Sequence, residues 1–268
     1  MSERRRAAVG ASPDSPDPTA AADPEHLRER ATVLRAADAE LRAAIAGLDP
    51  AVVRGPSRLP DWSVGHVLSH LSRNADGLGN LLQWAATGIE TPMYASTQAR
   101  DADVEAGARR DPAEILDDYV VSSDRFLTAV DTLPAAAWST QVRTRTGGPI
   151  PAAVVLDHRI CELFLHHHDL GIDGGLTELT NQQATALLSG LQRTYVRTHD
   201  VPAIALLPID GDRIDIGPVA ADPATADPAT ADPVTVTGTA AALAGWLTGR
   251  TDGAELIFDG PRPTLPSW

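Results

Sequence analysis

Leu27, Ala31, Leu34, Ala37, Leu41 and Ile45 recur every three or four residues, the period of one helix face, and predict a helix over residues 24–47. Gly47 and Pro50 close it. A second helix is predicted over 63–87, with Ser63 as its N-cap and Val64, Val67, Leu68, Leu71, Leu78, Leu81, Leu82 and Trp84 as its apolar positions. Residues 88–110 show little pattern and are read as a polar surface connection, long enough to serve as a rim or lid over a site. A third helix, 111–133, opens on Asp111-Pro112 and carries Ile115, Leu116, Tyr119, Val120, Phe126, Leu127 and Val130. A fourth, about 151–171, follows a Gly-Gly-Pro loop and holds the apolar run Val154 to Leu165.

The pattern then changes. Residues 177–199 predict one more helix, with Ala184, Leu187, Leu188, Leu191 and Tyr195 on one side. Short strand-like runs follow at 203–207, 213–216, 234–237 and 255–258, with a helix at 240–247 ended by Gly249. The fold class is therefore α+β: an N-terminal four-helix bundle over 24–175, then a small C-terminal α+β domain over 176–268. Residues 1–23 have almost no large apolar side chains and read as a disordered tail. Residues 220–233 contain the repeat Ala-Asp-Pro-Ala-Thr and read as a low-complexity loop.

Composition narrows the function. A net charge of −14 argues against nonspecific nucleic-acid binding and against an anionic membrane as partner. No apolar run approaches a membrane span, and no secretory signal follows the basic Arg4-Arg5-Arg6, so the chain is expected to be cytoplasmic. Every fixed basic residue is arginine. The one cysteine, Cys161, excludes an intrachain disulfide and reads as a small buried hydrophobe. No exposed heptad seam stands out, so a monomer is expected, with a dimer through the bundle faces left open.

The chemistry concentrates on two helices. Glu162 and His166 are four residues apart and share a face of the fourth helix, inside an apolar segment. His66 and His70 are four apart on the second helix, and Asn74 continues their face. A buried carboxylate and imidazole need a partner, and a divalent metal is one. His70, Glu162 and His166 would make a two-histidine, one-carboxylate set. By spacing alone, His66 could replace His70, and His158 or His167 could replace His166. Zinc suits the set, and iron, cobalt or nickel would also be accepted.

The run Asp61-Trp62-Ser63-Val64-Gly65-His66-Val67-Leu68-Ser69-His70-Leu71-Ser72-Arg73-Asn74-Ala75 resembles the signature of mycothiol-dependent maleylpyruvate isomerases, within the DinB/YfiT-like superfamily of metal-binding helical bundles. So do Glu162-Leu163-Phe164-Leu165-His166-His167-His168-Asp169-Leu170, the run 236–250, and the ending Leu265-Pro266-Ser267-Trp268. The resemblance spans roughly residues 25–268 and implies a DinB-like bundle with one zinc ion per chain at His70, Glu162 and His166. It implies mycothiol as thiol cofactor, and Arg250 as an active-site residue suited to gripping a substrate carboxylate. Asp169 could receive the free N–H of His166 or cap the helix end, and Asn74 and Arg73 are expected to pack behind the site.

The implied reaction is cis–trans isomerisation of maleylpyruvate to fumarylpyruvate, by addition of a zinc-activated thiolate, rotation and elimination. A mycothiol S-transferase acting on electrophiles, or a non-catalytic metal- or ligand-binding relative, would carry the same residues.

Overall fold

The computed structural model describes residues 23–145, 148–194, 201–217 and 233–266. Of the expected tail over 1–23, residues 1–22 lie outside the described residues, as do 220–232 of the repeat loop, 195–199 of the helix expected over 177–199, and Ser267-Trp268.

The bundle is built from α1 (Pro24–Ile45), α3 (Val64–Thr87), α5 (Pro112–Thr132) and α6 (Val154–Asp169). A short helix, α2 (Pro50–Arg54), precedes α3, and α4 (Thr97–Ala108) lies between α3 and α5. Three of the four long helices, α1, α3 and α5, start where the sequence supplies a capping side chain. Asp23 accepts from the backbone of Glu25 and His26 ahead of Pro24. Asp111 forms a capping box with Glu114 ahead of Pro112. Ser63 caps α3, and Gly88, in the left-handed conformation at φ 70°, ends it.

The faces that carry the apolar period meet in one core, including Leu34, Leu41, Leu68, Leu71, Leu78, Tyr119, Phe126, Leu156 and Phe164. Three buried polar groups tie the helices together. Tyr119 donates to Asp38 at 2.8 Å, joining α5 to α1. Asp157 accepts from Arg30 at 2.7 Å and from Arg193 at 3.1 Å, joining α6 to α1 and to α7 (Asn181–Thr194). Arg159 donates to the Leu71 carbonyl at 2.8 Å, to Asn74 at 2.9 Å and to Ser123 at 3.0 Å, joining α6 to α3 and α5. Such groups are costly to bury unless every partner is in place, so they define how the helices register.

Residues 88–110 correct the sequence expectation, since α4 is a helix and not a plain loop. It is capped by Ser96, and Val104 is its one buried residue. With so little apolar face the period is invisible, and alanine-rich propensity with a cap sustains the helix. The segment lies close on α3. A Cβ at Gly107 would come within 2.8 Å of the Ser69 hydroxyl, and one at Gly77 within 2.9 Å of the Met93 carbonyl. Only glycine permits that approach.

The start of the expected fourth helix also differs. Pro149–Pro151 forms β2, paired antiparallel with β1 (Gln141–Arg143), and α6 begins at Val154. Proline cannot donate, so the segment ends in an edge pairing before the helix can run.

Beyond α6, a 3-10 turn (Leu176–Glu178) and α7 are followed by β3 (Ile204–Pro208), β4 (Ile214–Ile216), β5 (Val234–Gly238), α8 (Ala240–Leu247) and β6 (Ile257–Phe258). The strands form one sheet in the order β4-β3-β5-β6. β3 and β5 are parallel and the two outer pairs antiparallel. α7 packs on both α6 and α8. No helix among the described residues is long and apolar enough to cross a membrane.

Candidate metal centre

The 3.6-residue period of α6 stacks Glu162 under His166, and both project toward α3, where His70 lies between the core positions Leu68 and Leu71. Their donor atoms form a tight triangle. Nε2 of His70 is 2.9 Å from Oε2 of Glu162 and 3.0 Å from Nε2 of His166, and the latter is 3.1 Å from the same Glu162 oxygen. Among the described residues these three form the group of donors close enough to share one ion. Tetrahedral zinc ligands at about 2.0–2.1 Å from the ion sit about 3.3–3.4 Å apart, so an outward shift of a few tenths of an ångström would admit the metal. Two imidazole nitrogens and a carboxylate oxygen, meeting at one point with both rings buried, fit a divalent ion.

Each ring is held from behind. Nδ1 of His166 donates to Oδ2 of Asp169 at 2.9 Å, which leaves its Nε2 lone pair aimed at the triangle. Asp169 in turn takes the fork of Arg250, from Nε at 3.2 Å and from Nη2 at 2.8 Å, while Nη1 donates to the Thr248 carbonyl at 3.0 Å. His70 stands edge-on to Trp62, with ring centroids 5.7 Å apart. Its Nδ1 receives Nη2 of Arg100, from α4, at 2.7 Å.

Burial pushes the His70 imidazolium down to about 4, against the opposing pull of Glu162. Burial works the other way on Glu162, but the two rings at its oxygen outweigh it and hold the carboxyl well below the usual range. Burial disfavours a charged His166, and the carboxylates of Asp169 and Glu162 overcome this and raise it. Burial also raises the Cys161 thiol, which sits in the core and remains a thiol at neutral pH.

The other histidines weighed from spacing go elsewhere. His66 completes the cap of α3, its Nδ1 accepting from the Ser63 backbone at 3.1 Å, and its Nε2 lies 3.4 Å from Glu105. His167 turns away to the Asp173 carbonyl at 3.0 Å, and His168 meets Arg58. His158 borders the cavity but is outside the triangle. Asn74 also borders the cavity and accepts from Arg159, whereas Arg73 pairs with Asp118 at 2.9 Å.

The triangle opens on a cavity of about 630 Å³. Arg58, Arg100, Arg145 and Arg250 border it against the carboxylates Glu162 and Asp169. Tyr94 and Trp62 complete one wall. Arg58, Tyr94, Arg100 and Arg145 were not legible as site residues, because all four lie in segments without periodicity. The fixed charge of arginine in an otherwise acidic chain was the one available signal.

Comparison with known proteins identifies the family. Residues 34–171 match the family profile described as mycothiol maleylpyruvate isomerase N-terminal domain, and residues 170–267 match the MDMPI C-terminal domain. The chain is similar to the crystal structure of the mycothiol-dependent maleylpyruvate isomerase, at 26% identity and a TM-score of 0.73. It is similar to a histidine-to-alanine mutant of that enzyme at 27% identity and a TM-score of 0.74. Each match covers 90% of this chain and 97% of the other. No curated protein sequence matches it significantly. With both halves of its length matched by these profiles, the chain belongs to the mycothiol maleylpyruvate isomerase family.

Proposed function

We propose that this protein is a mycothiol-dependent cis–trans isomerase that converts maleylpyruvate into fumarylpyruvate, with one divalent metal ion, zinc by preference, at His70, Glu162 and His166. The observation that carries the reading is the triangle of donor atoms, 2.9–3.1 Å on a side, at the floor of an arginine-bordered cavity. The family and the two similar structures support the choice of thiol and substrate.

Turning a cis alkene into a trans one requires a transient single bond. A metal ion and mycothiol together would supply a thiolate near neutral pH, able to add to the alkene and to leave after rotation, so that the thiol is not consumed. The residues of the chain do the rest. His70, Glu162 and His166 present the ligand atoms. Asp169 keeps His166 in the tautomer whose Nε2 is bare. Arg250 is assigned the role of holding Asp169, and through it the ring of His166. The carboxylate clamp expected of Arg250 would need that fork to leave Asp169. Cys161 takes no part, being buried and protonated.

The test is elemental analysis of untagged, chelator-free protein, followed by an assay with mycothiol and maleylpyruvate. One zinc per chain, absent in His70→Ala, together with fumarylpyruvate formation and full recovery of the thiol, supports the reading. Zinc uptake with stoichiometric loss of thiol would identify an S-transferase instead. Failure to bind any divalent metal would remove the mechanism and leave a ligand-binding relative.

A further inference from the structure

The contact between Arg100 and His70 conflicts with a metal at His70. A guanidinium only donates hydrogen bonds. Nδ1 of His70, 2.7 Å from Nη2 of Arg100, must therefore carry the lone pair, and the hydrogen of the neutral ring sits on Nε2, where it meets Glu162 at 2.9 Å. A metal ligand needs the opposite arrangement, with the lone pair on Nε2 and the hydrogen on Nδ1. Both forms of the ring are neutral, and only the nitrogen that carries the hydrogen differs. His166 has no such conflict, because Asp169 already takes its Nδ1 hydrogen.

Arg100 is placed to do something else once it leaves the ring. It sits on the helix laid over the site, its Nη1 bonds Asp101 at 2.9 Å, and its guanidinium carbon is 5.8 Å from the centre of the Trp62 ring. Arg100 itself lines the cavity. Arg58 and Arg145 border the same space, whereas Asp169 is already engaged by Arg250 and Glu162 faces the two histidines. The cavity is thus suited to an anion, in a chain whose net charge is −14.

We propose that Arg100 is a carboxylate-binding residue made available by metal loading: an ion on Nε2 of His70 turns Nδ1 into a donor, expels the guanidinium, and frees its fork for a carboxylate of the substrate. The inference rests on the metal site proposed above. It makes metal and carboxylate binding mutually reinforcing. Coupling of this kind is reciprocal, so the carboxylate must tighten the metal by the same factor as the metal tightens the carboxylate.

The experiment uses the full chain, with no thiol present and maleate as the dicarboxylate probe. Nitrogen-15 NMR of labelled histidine should show His70 protonated on Nε2 without metal and on Nδ1 with zinc. Calorimetry should show maleate binding the zinc form about 10- to 100-fold more tightly than the metal-free form, the range expected of a charge-assisted fork. Arg100→Gln should take up zinc at least as well as the unaltered protein and lose that gain. Equal maleate affinity of the zinc-loaded unaltered and R100Q proteins would overturn the proposal while leaving the metal site standing. Failure of the unaltered protein to bind zinc would remove the metal site first, and the inference with it. Arg100→Lys keeps the charge without the fork, and decides in the same way if R100Q does not fold.

Discussion

Oδ2 of Asp169 lies 2.9 Å from Nδ1 of His166, three residues back on the same helix, and the pair is buried. A carboxylate in that position keeps the imidazole from rotating and makes its Nε2 a better donor. Asp169→Asn keeps the shape and removes the charge. It is expected to weaken zinc binding about 10- to 100-fold, measured by competition with a chelator of known affinity. Unchanged affinity would mean that His166 is positioned by packing alone.

Arg250 reaches the same carboxylate from beyond α8, so its substitution separates two roles. As a positioning residue, Arg250→Gln should retain zinc, lower kcat about 10- to 100-fold, and leave KM for maleylpyruvate within about twofold. A large rise in KM with kcat intact would instead mark it as a grip on the substrate. Steady-state kinetics on zinc-saturated protein decide between them.

The alkaline titration of this chain should be unusually easy to read. It has no lysine and only three tyrosines, so no ammonium side chain titrates near pH 10. Burial pushes Tyr94 up to about 12, and burial with the Asp38 carboxylate pushes Tyr119 up as well. Both folded pKa values exceed the unfolded one. The folded state therefore holds protons that the unfolded chain has lost, and unfolding releases them above pH 10. The stability these groups contribute is full below pH 10 and falls as pH rises through about 12. Tyrosinate absorbance should lag behind that of the urea-unfolded protein, and the urea midpoint should drop over the same range. A tyrosinate curve identical to the unfolded one would contradict the burial of both hydroxyls.

Gly107 sets how closely α4 lies on α3. A Cβ there would fall 2.8 Å from Oγ and 2.9 Å from Cβ of Ser69, and the Cβ cannot move without the backbone of α3. Gly107→Ala should destabilise the protein by about 1–3 kcal/mol in urea unfolding, the cost of forcing a methyl into a closed contact. Arg100 lies on the same helix, so the substitution should also loosen its contact with His70. A neutral effect would show that α4 moves away from α3 at little cost.

How much was legible can be judged from particular elements. α1, α3, α5 and α6 each bury a wide apolar face, and the period of Leu34, Leu41, Leu71, Leu78, Ile115 and Leu163 carried them. α4 buries only Val104 and left no such trace. Spacing put Glu162 and His166 on one face, yet it left His66 open in place of His70, and His158 or His167 in place of His166. The choice of His70 over His66 came only from the resemblance, and in the structure His66 is occupied by the cap of α3.

The sequence by itself determined what short-range periodicity and residue chemistry can encode: which long helices have a buried face, that two of them carry residue types able to ligate a metal, and which family the chain belongs to. Tertiary structure decided what depends on atoms far apart in the chain. It closed the donor triangle across 96 residues, between His70 and His166. It brought Arg250 onto Asp169 over 81 residues and Arg100 onto His70 over 30. Such contacts follow from how helices pack on one another, and packing is settled by the whole core at once, so no local pattern records it.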